Sequence, residues 1–233
     1  MTKEELKNLV NNNIIKLDDS VFDKLENLME DTLVTNEKFN LTAIKDKEKF
    51  RELMIYDSLT VLKYVDFNDK EVLDVGTGAG YPGLPLALAT NGKFTLLDST
   101  QKKINHINQY VKENNIKNVA AVAVRAEEYA LTNREKYDYV ISRAVAPLNI
   151  LLELCMPLVK VGGYFVAMKG AKSEEEMIEA KDAFKKLNSE IEKAYVFDLP
   201  ISKEERSIII IQKRKTTNTK YPRKFKEIKS KPL

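Results

Sequence analysis

Residues 71–83 read Glu71-Val72-Leu73-Asp74-Val75-Gly76-Thr77-Gly78-Ala79-Gly80-Tyr81-Pro82-Gly83, a β-prone apolar run that breaks into a glycine-rich turn and then into a helical stretch at 84–91. Strand, glycine turn and helix in that order let a ligand lie against backbone atoms near a helix N-terminus. The next β-prone run, Phe94 to Asp98, closes on an acid 22 residues after Gly76. A carboxylate there can accept hydrogen bonds from both hydroxyls of a ribose, so it marks a nucleoside more than a phosphate. A glycine turn alone can serve mere chain reversal; the acid in register makes this one a binding-site expectation.

The features that are missing narrow the nucleoside. The dinucleotide fingerprint would place its third glycine at position 81, where Tyr81 stands, and no Gly-Lys-Ser/Thr follows the turn as a phosphate loop requires. Asp74, beside the turn, would repel a pyrophosphate, whereas through an amide or water it can hold an α-amino group. S-adenosylmethionine fits these constraints best.

Working outward, β-prone runs at 71–75, 94–98, 119–124, 139–142, 164–168, 194–199 and 207–213 alternate with helical patterns near 84–91, 101–115, 148–159 and 173–188. This predicts an α/β fold with a doubly wound, seven-stranded, mostly parallel sheet of the Rossmann-like class. The first 65 residues instead read as helices: Leu6, Leu9, Val10, Ile14 and Leu17, then Val21, Phe22, Leu25, Leu28 and Met29, recur at three- and four-residue spacing. Ser20 is placed to N-cap the second run. In a third run, Phe50 to Val65, Asp57 and Ser58 interrupt the apolar face. The expected organisation is a helical extension over 1–65, a cofactor-binding core over 66–213 and a basic tail over 214–233 without regular structure of its own.

Net charge is +3, yet residues 213–231 carry nine Lys or Arg against the single acid Glu227, a local charge of +8 that leaves the rest of the chain near −5. Such asymmetry points to a polyanionic partner, with a merely solubilising tail as the plain alternative. One cysteine, Cys155, and one histidine, His106, give no basis for a disulfide, a zinc site or a Ser-His-Asp triad. No apolar run approaches the roughly 20 residues of a membrane span, and the N-terminus has no apolar signal region, so a cytoplasmic location is expected. The absence of an extended heptad pattern favours a monomer.

Two further segments fall at strand ends. Arg125-Ala126-Glu127-Glu128 follows the third strand, at the level of an adenine ring, and Ser142-Arg143-Ala144-Val145-Ala146-Pro147 follows the fourth, which in this fold faces a transferred methyl group. Arg143 is the cation expected at the mouth of the site, its plain alternative being a strand-end arginine paired with a carboxylate. No Asn/Asp-Pro-Pro-aromatic motif is present for methylating an exocyclic base amine. Cys155 lies in the apolar run Leu151 to Leu158 and suits a core residue better than the nucleophile that cytosine C5 chemistry requires. An acceptor with its own lone pair, such as guanine N7, needs no proton removed, and positioning alone would suffice.

Asn40-Leu41-Thr42-Ala43-Ile44, Asp57-Ser58-Leu59, Asp74 to Pro85, Leu97-Asp98-Ser99 with Lys102-Lys103, Arg125-Ala126-Glu127, Ser142 to Ala146, Lys169-Gly170 and Lys220-Tyr221-Pro222-Arg223 occur in this order along the chain. In this order they resemble the bacterial small-subunit ribosomal RNA guanine-N7 methyltransferases, also called the glucose-inhibited division protein B family, over essentially the whole length. The resemblance implies a guanosine in the decoding-region loop of 16S ribosomal RNA as acceptor, in naked RNA or in the small ribosomal subunit. It implies cofactor contacts at Gly76, Tyr81, Asp98, Ala126, Glu127 and Arg143. With the reading of the residues it makes Asp74, Gly78 and Ser99 further cofactor-binding candidates, and Asn40, Lys169, Lys220, Arg223 and Lys224 candidates for RNA contact, with helix capping as the alternative for Asn40 and solvation for Lys169. The chain departs from the family pattern in Met54, where a histidine is common, in Tyr81, where phenylalanine is common, and in a tail without glycine after Lys224. A small-molecule or protein methyltransferase, or a non-catalytic RNA-binding module, are the competing readings; neither a metal nor a membrane is implied.

Overall fold

In β1 (Glu71–Val75), Val72, Leu73, Asp74 and Val75 are all buried, and a strand with no exposed face needs neighbours on both edges and cover on both sides. The computed structural model describes residues 1–233 and supplies those neighbours. With β2 (Lys93–Asp98), β3 (Val119–Ala123), β4 (Tyr137–Arg143), β5 (Val159–Lys169), β6 (Ser189–Asp198) and β7 (Glu205–Lys213), it forms one sheet in the order β3-β2-β1-β4-β5-β7-β6. β4 lies parallel to β1 and to β5, β3 lies parallel to β2, and β7 runs antiparallel between β5 and β6. The order reverses at β1, and the carboxyl ends of strands at such a switch point are where ligands bind in open α/β sheets. The expected doubly wound sheet is therefore present, with β5, β6 and β7 longer than their apolar runs indicate.

The chain divides into two compact units. The first comprises Met1–Asp69 and Thr77–Ala123. Its α1 (Lys3–Asn13) opens with a capping box in which Thr2 accepts from the Glu5 N–H and Glu5 accepts from the Thr2 N–H. α2 (Asp19–Asn36) buries Phe22, Leu25, Leu28 and Met29 and packs on α5 (Gly83–Ala89) and α6 (Gln101–Glu113). Its N-cap is Asp18 rather than Ser20, which lies inside the helix. The third helical run is continuous but irregular: α3 (Lys47–Phe50), a π turn over Arg51–Tyr56, α4 (Asp57–Leu59) and a 3-10 turn over Thr60–Lys63. The change of pitch turns Asp57 and Ser58 inward, and both are buried, so they do not open a polar gap. Ser58 returns its hydroxyl to the Met54 carbonyl.

The second unit comprises Lys70–Gly76 and Val124–Leu233. α7 (Ala126–Tyr129) follows β3, and α8 (Leu148–Cys155) buries a nearly continuous apolar surface. The expected helix at 173–188 breaks at Ala180 into α9 (Ser173–Glu179) and α10 (Lys181–Lys186). The chain beyond Lys213 is not structureless, contrary to expectation. It carries α11 (Phe225–Ser230), which packs against α8 with Ile228 fully buried. Three polar anchors hold the approach to it. Lys213, fully buried, donates to the carbonyls of Met156 and Val159 and pairs with Glu135 at 3.0 Å. Arg134 donates to the carbonyls of Tyr221 at 2.6 Å and Thr217 at 2.8 Å. Arg223 closes on buried Glu153 through Nε, Nη2 and its own backbone N–H. A low count of apolar residues hid this segment, because ion pairs and carbonyl captures leave no periodic signature.

Candidate active site

In the first unit the glycine turn is tied to the end of β2. Thr77 donates its N–H to the Leu97 carbonyl at 3.0 Å, and Gly78 donates to Asp98 Oδ2 at 3.0 Å. Gly78 has φ of +61°, the left-handed region that lets its N–H face the carboxylate. The Thr100 N–H takes Asp98 Oδ1 at 2.8 Å, and Lys103 lies 3.7 Å from Oδ2. Each oxygen of Asp98 is thus fixed by one backbone donor. A carboxylate accepts at about four lone-pair positions, which leaves one on each oxygen for a diol. Ser99 beside it is exposed.

Tyr81 is buried, its ring edge-on to Phe50 at 5.5 Å and its hydroxyl 3.2 Å from Thr32 Oγ1. The hydroxyl that distinguishes it from phenylalanine thus reaches α2 and braces the turn. Asn40 is exposed and caps no helix; the loop it lies in is held instead by Asn36, the last residue of α2, whose Oδ1 accepts from the N–H groups of Leu41 and Thr42 at 2.8 and 3.0 Å. The sequence carries no signal for Asn36, because its partners are main-chain N–H groups five and six residues further on.

In the second unit, Asp74 is buried in β1 opposite Ile141. The Ser142 hydroxyl donates to the Val75 carbonyl at 2.8 Å, which locks the ends of β1 and β4 together. Gly76, with φ of +75°, leaves room for Val145; a Cβ added there would stand 2.3 Å from Val145 Cγ2. Arg143 ends β4, half-buried, and Ala144 turns the chain with φ of +55°. Lys169 holds the loop that follows: its ammonium donates to the Ala146 carbonyl at 2.8 Å and pairs with Glu176 at 2.7 Å, and Glu176 in turn accepts the Leu148 N–H. Ala126 and Glu127 open α7, and Glu127 accepts from Arg125 Nε at 2.5 Å.

Lys169 and Arg223 are therefore engaged within the fold, whereas Lys220 and Lys224 are exposed. The missed partners are Glu153 and Glu176. A lone acid in the apolar helix Leu148–Cys155 was the signal for Glu153, since a buried carboxylate calls for a cation. Cys155 is a core residue as expected: burial pushes its thiol up, and the carboxylate of Asp74 adds to that, which disfavours the thiolate that nucleophilic attack needs. No group of three or more His, Cys, Asp or Glu side chains is placed to hold a metal, and no helix is long and apolar enough to cross a membrane.

Set beside known proteins, residues 22–208 match the family model described as rRNA small subunit methyltransferase G. The chain is 41% identical to the ribosomal RNA small subunit methyltransferase G of Bacillus cytotoxicus over 228 residues, covering 96% of this chain and 95% of that one. The protein of the same name from Bacillus cereus is 40% identical over the same shares. Among solved structures, a SAM dependent methyltransferase from Aquifex aeolicus superposes with a TM-score of 0.55 at 20% identity, over 77% of this chain and 97% of that one. TYW2 of M. jannaschii in complex with AdoMet gives 0.53 at 17%, over 64% and 71%. The structural likenesses speak for the fold.

Proposed function

The chain belongs to the rRNA small subunit methyltransferase G family, and on that premise we propose that it methylates N7 of one guanosine in 16S ribosomal RNA, with S-adenosylmethionine as cofactor. The observation that carries the cofactor assignment is Asp98, whose two oxygens are each held by one backbone N–H and keep lone pairs for a ribose diol. The space beside Gly78 is open, a Cβ built there meeting nothing within 4 Å, which fits a ligand lying against the backbone of the turn.

When bound, S-adenosylmethionine would supply an electrophilic methyl group on its sulfonium sulfur for the N7 lone pair, with S-adenosylhomocysteine as the leaving product. The residues divide the remaining work. Asp98 takes the ribose, with Ser99 beside it, and Asp74 the α-amino group; Ala126 and Glu127 take the adenine edge; Gly76, Gly78 and Tyr81 form the turn against which the cofactor lies. Arg143 orients the acceptor base. N7 carries no proton, so no general base is required and the enzyme works by positioning and electrostatics. On the RNA side, Lys220, Lys224 and Asn40 are exposed and meet the nucleic acid directly, while Lys169 and Arg223 act by holding the Ala146 loop and the tail. We assign the enzyme to the cytoplasm as a monomer.

The test is incorporation of labelled methyl into small-subunit RNA lacking the modification. Asp98→Ala should abolish it while the chain stays folded. Unchanged incorporation contradicts the site, and label in protein or a small molecule contradicts the acceptor.

A further inference from the structure

We propose that Arg125 is a positioning residue that links the C-terminal segment to the cofactor-binding segment, so that docking of the tail and binding of the cofactor strengthen one another. Arg125 N-caps α7 and donates through Nε to Glu127, whose side chain is only 11% exposed. The guanidinium carbon lies 4.5 Å from the ring centroid of Phe225, well within cation–π reach. Phe225 is the first residue of α11, and its place is set by contacts that do not involve Arg125. Ile228 is fully buried, Arg223 is closed on Glu153, and Arg134 holds the carbonyls of Tyr221 and Thr217.

Arg125 itself is 42% exposed and would otherwise sample many rotamers. Held over Phe225, it keeps the geometry that orients the Glu127 carboxylate before any ligand arrives. The inference rests on Glu127 as a cofactor contact. Linkage then makes the effect reciprocal: what restrains the tail raises cofactor affinity, and cofactor steadies the tail by the same factor. The lysines of the tail, Lys224, Lys226 and Lys229, are exposed on this segment, so an RNA bound to them acts on cofactor affinity through Phe225 and Arg125.

The experiment is calorimetric titration of the full chain with S-adenosylhomocysteine, without RNA, on the wild type, Phe225→Ala, Arg125→Ala and the double variant, with Phe225→Tyr as the conservative replacement. Phe225→Ala should weaken binding about threefold to fivefold, the scale of one partly exposed cation–π contact. Phe225→Tyr should bind as the wild type, and in the Arg125→Ala background removing the ring should change nothing further. Equal losses from Phe225→Ala in both backgrounds would mean that the ring only stabilises the fold, and would overturn the linkage, as would wild-type affinity in Phe225→Ala. If Phe225→Ala does not fold, Phe225→Leu, which fills the space without a π face, is read by the same criteria. Tight binding by the wild type with an additive cycle defeats the linkage alone; no binding by the wild type defeats the cofactor reading and the linkage with it.

Discussion

The N-terminal helices and the C-terminal segment both cover parts of a sheet-bearing core, yet they are held by opposite means. α1 and α2 present apolar faces, with Leu6, Val10, Leu25 and Leu28 at zero exposure, and their attachment is spread over many small contacts. The segment after Lys213 buries few apolar side chains, Tyr221 and Ile228 chief among them, and hangs on Lys213, Arg134 and the pair of Arg223 with Glu153. Distributed apolar contact tolerates the loss of any polar partner. A few buried polar anchors do not, because removing one member leaves the other desolvated and unmatched. In exchange, the second arrangement keeps most of the segment's lysines in solvent.

Leu28→Ala should cost about 3–4 kcal/mol of stability through the cavity it leaves, measured by urea unfolding. Arg223→Ala should cost about 3 kcal/mol by the same measurement, because Glu153 is left buried and charged. Replacing both Arg223 and Glu153 by leucine should recover most of that loss. A negligible cost for Arg223→Ala would break the picture of a tail held by polar anchors. Gly76→Ala should lower cofactor affinity about tenfold, since the new Cβ meets Val145 and the left-handed φ is strained, an effect of order 1–2 kcal/mol read by calorimetry. Changing Lys224, Lys226 and Lys229 together to glutamine should leave cofactor binding in place and reduce the salt slope of RNA affinity by about 2, at roughly 0.7 per contact to a single strand.

The smallest effect concerns His106 in the first unit. Burial holds its imidazole below the ordinary 6.5, against the pull of Asp31 3.6 Å away. The unfolded chain therefore takes up a proton that the folded chain does not, and stability should fall as pH drops below about 6.5. Asp31, which burial pushes up from 3.8, acts in the opposite sense at lower pH. His106→Gln should flatten the profile near pH 6 in thermal unfolding; an unchanged slope would show that the imidazole titrates alike in both states.

Much of the parallel sheet and the cofactor turn was legible because both are written in side-chain type and period: the apolar run before Gly76, the acid closing β2, and the helices between strands. What was not legible was written in the backbone or in single polar residues. The two donors that fix Asp98 are main-chain N–H groups, and no letter of the sequence marks them. The π turn at Arg51–Tyr56 turns Asp57 and Ser58 inward, so the apolar spacing of the run reads as interrupted where the helix continues. Arg223 and Lys169 look like any surface cations until the fold brings Glu153 and Glu176 to them.

The most direct measurement is identification by mass spectrometry of the nucleoside that gains label when the chain acts with labelled S-adenosylmethionine on 16S ribosomal RNA or small subunits lacking this methyl group. The expected result is label in 7-methylguanosine at a single position, lost with Asp98→Ala. Label in any other nucleoside, or none on any form of the RNA while the cofactor binds normally, would contradict the account.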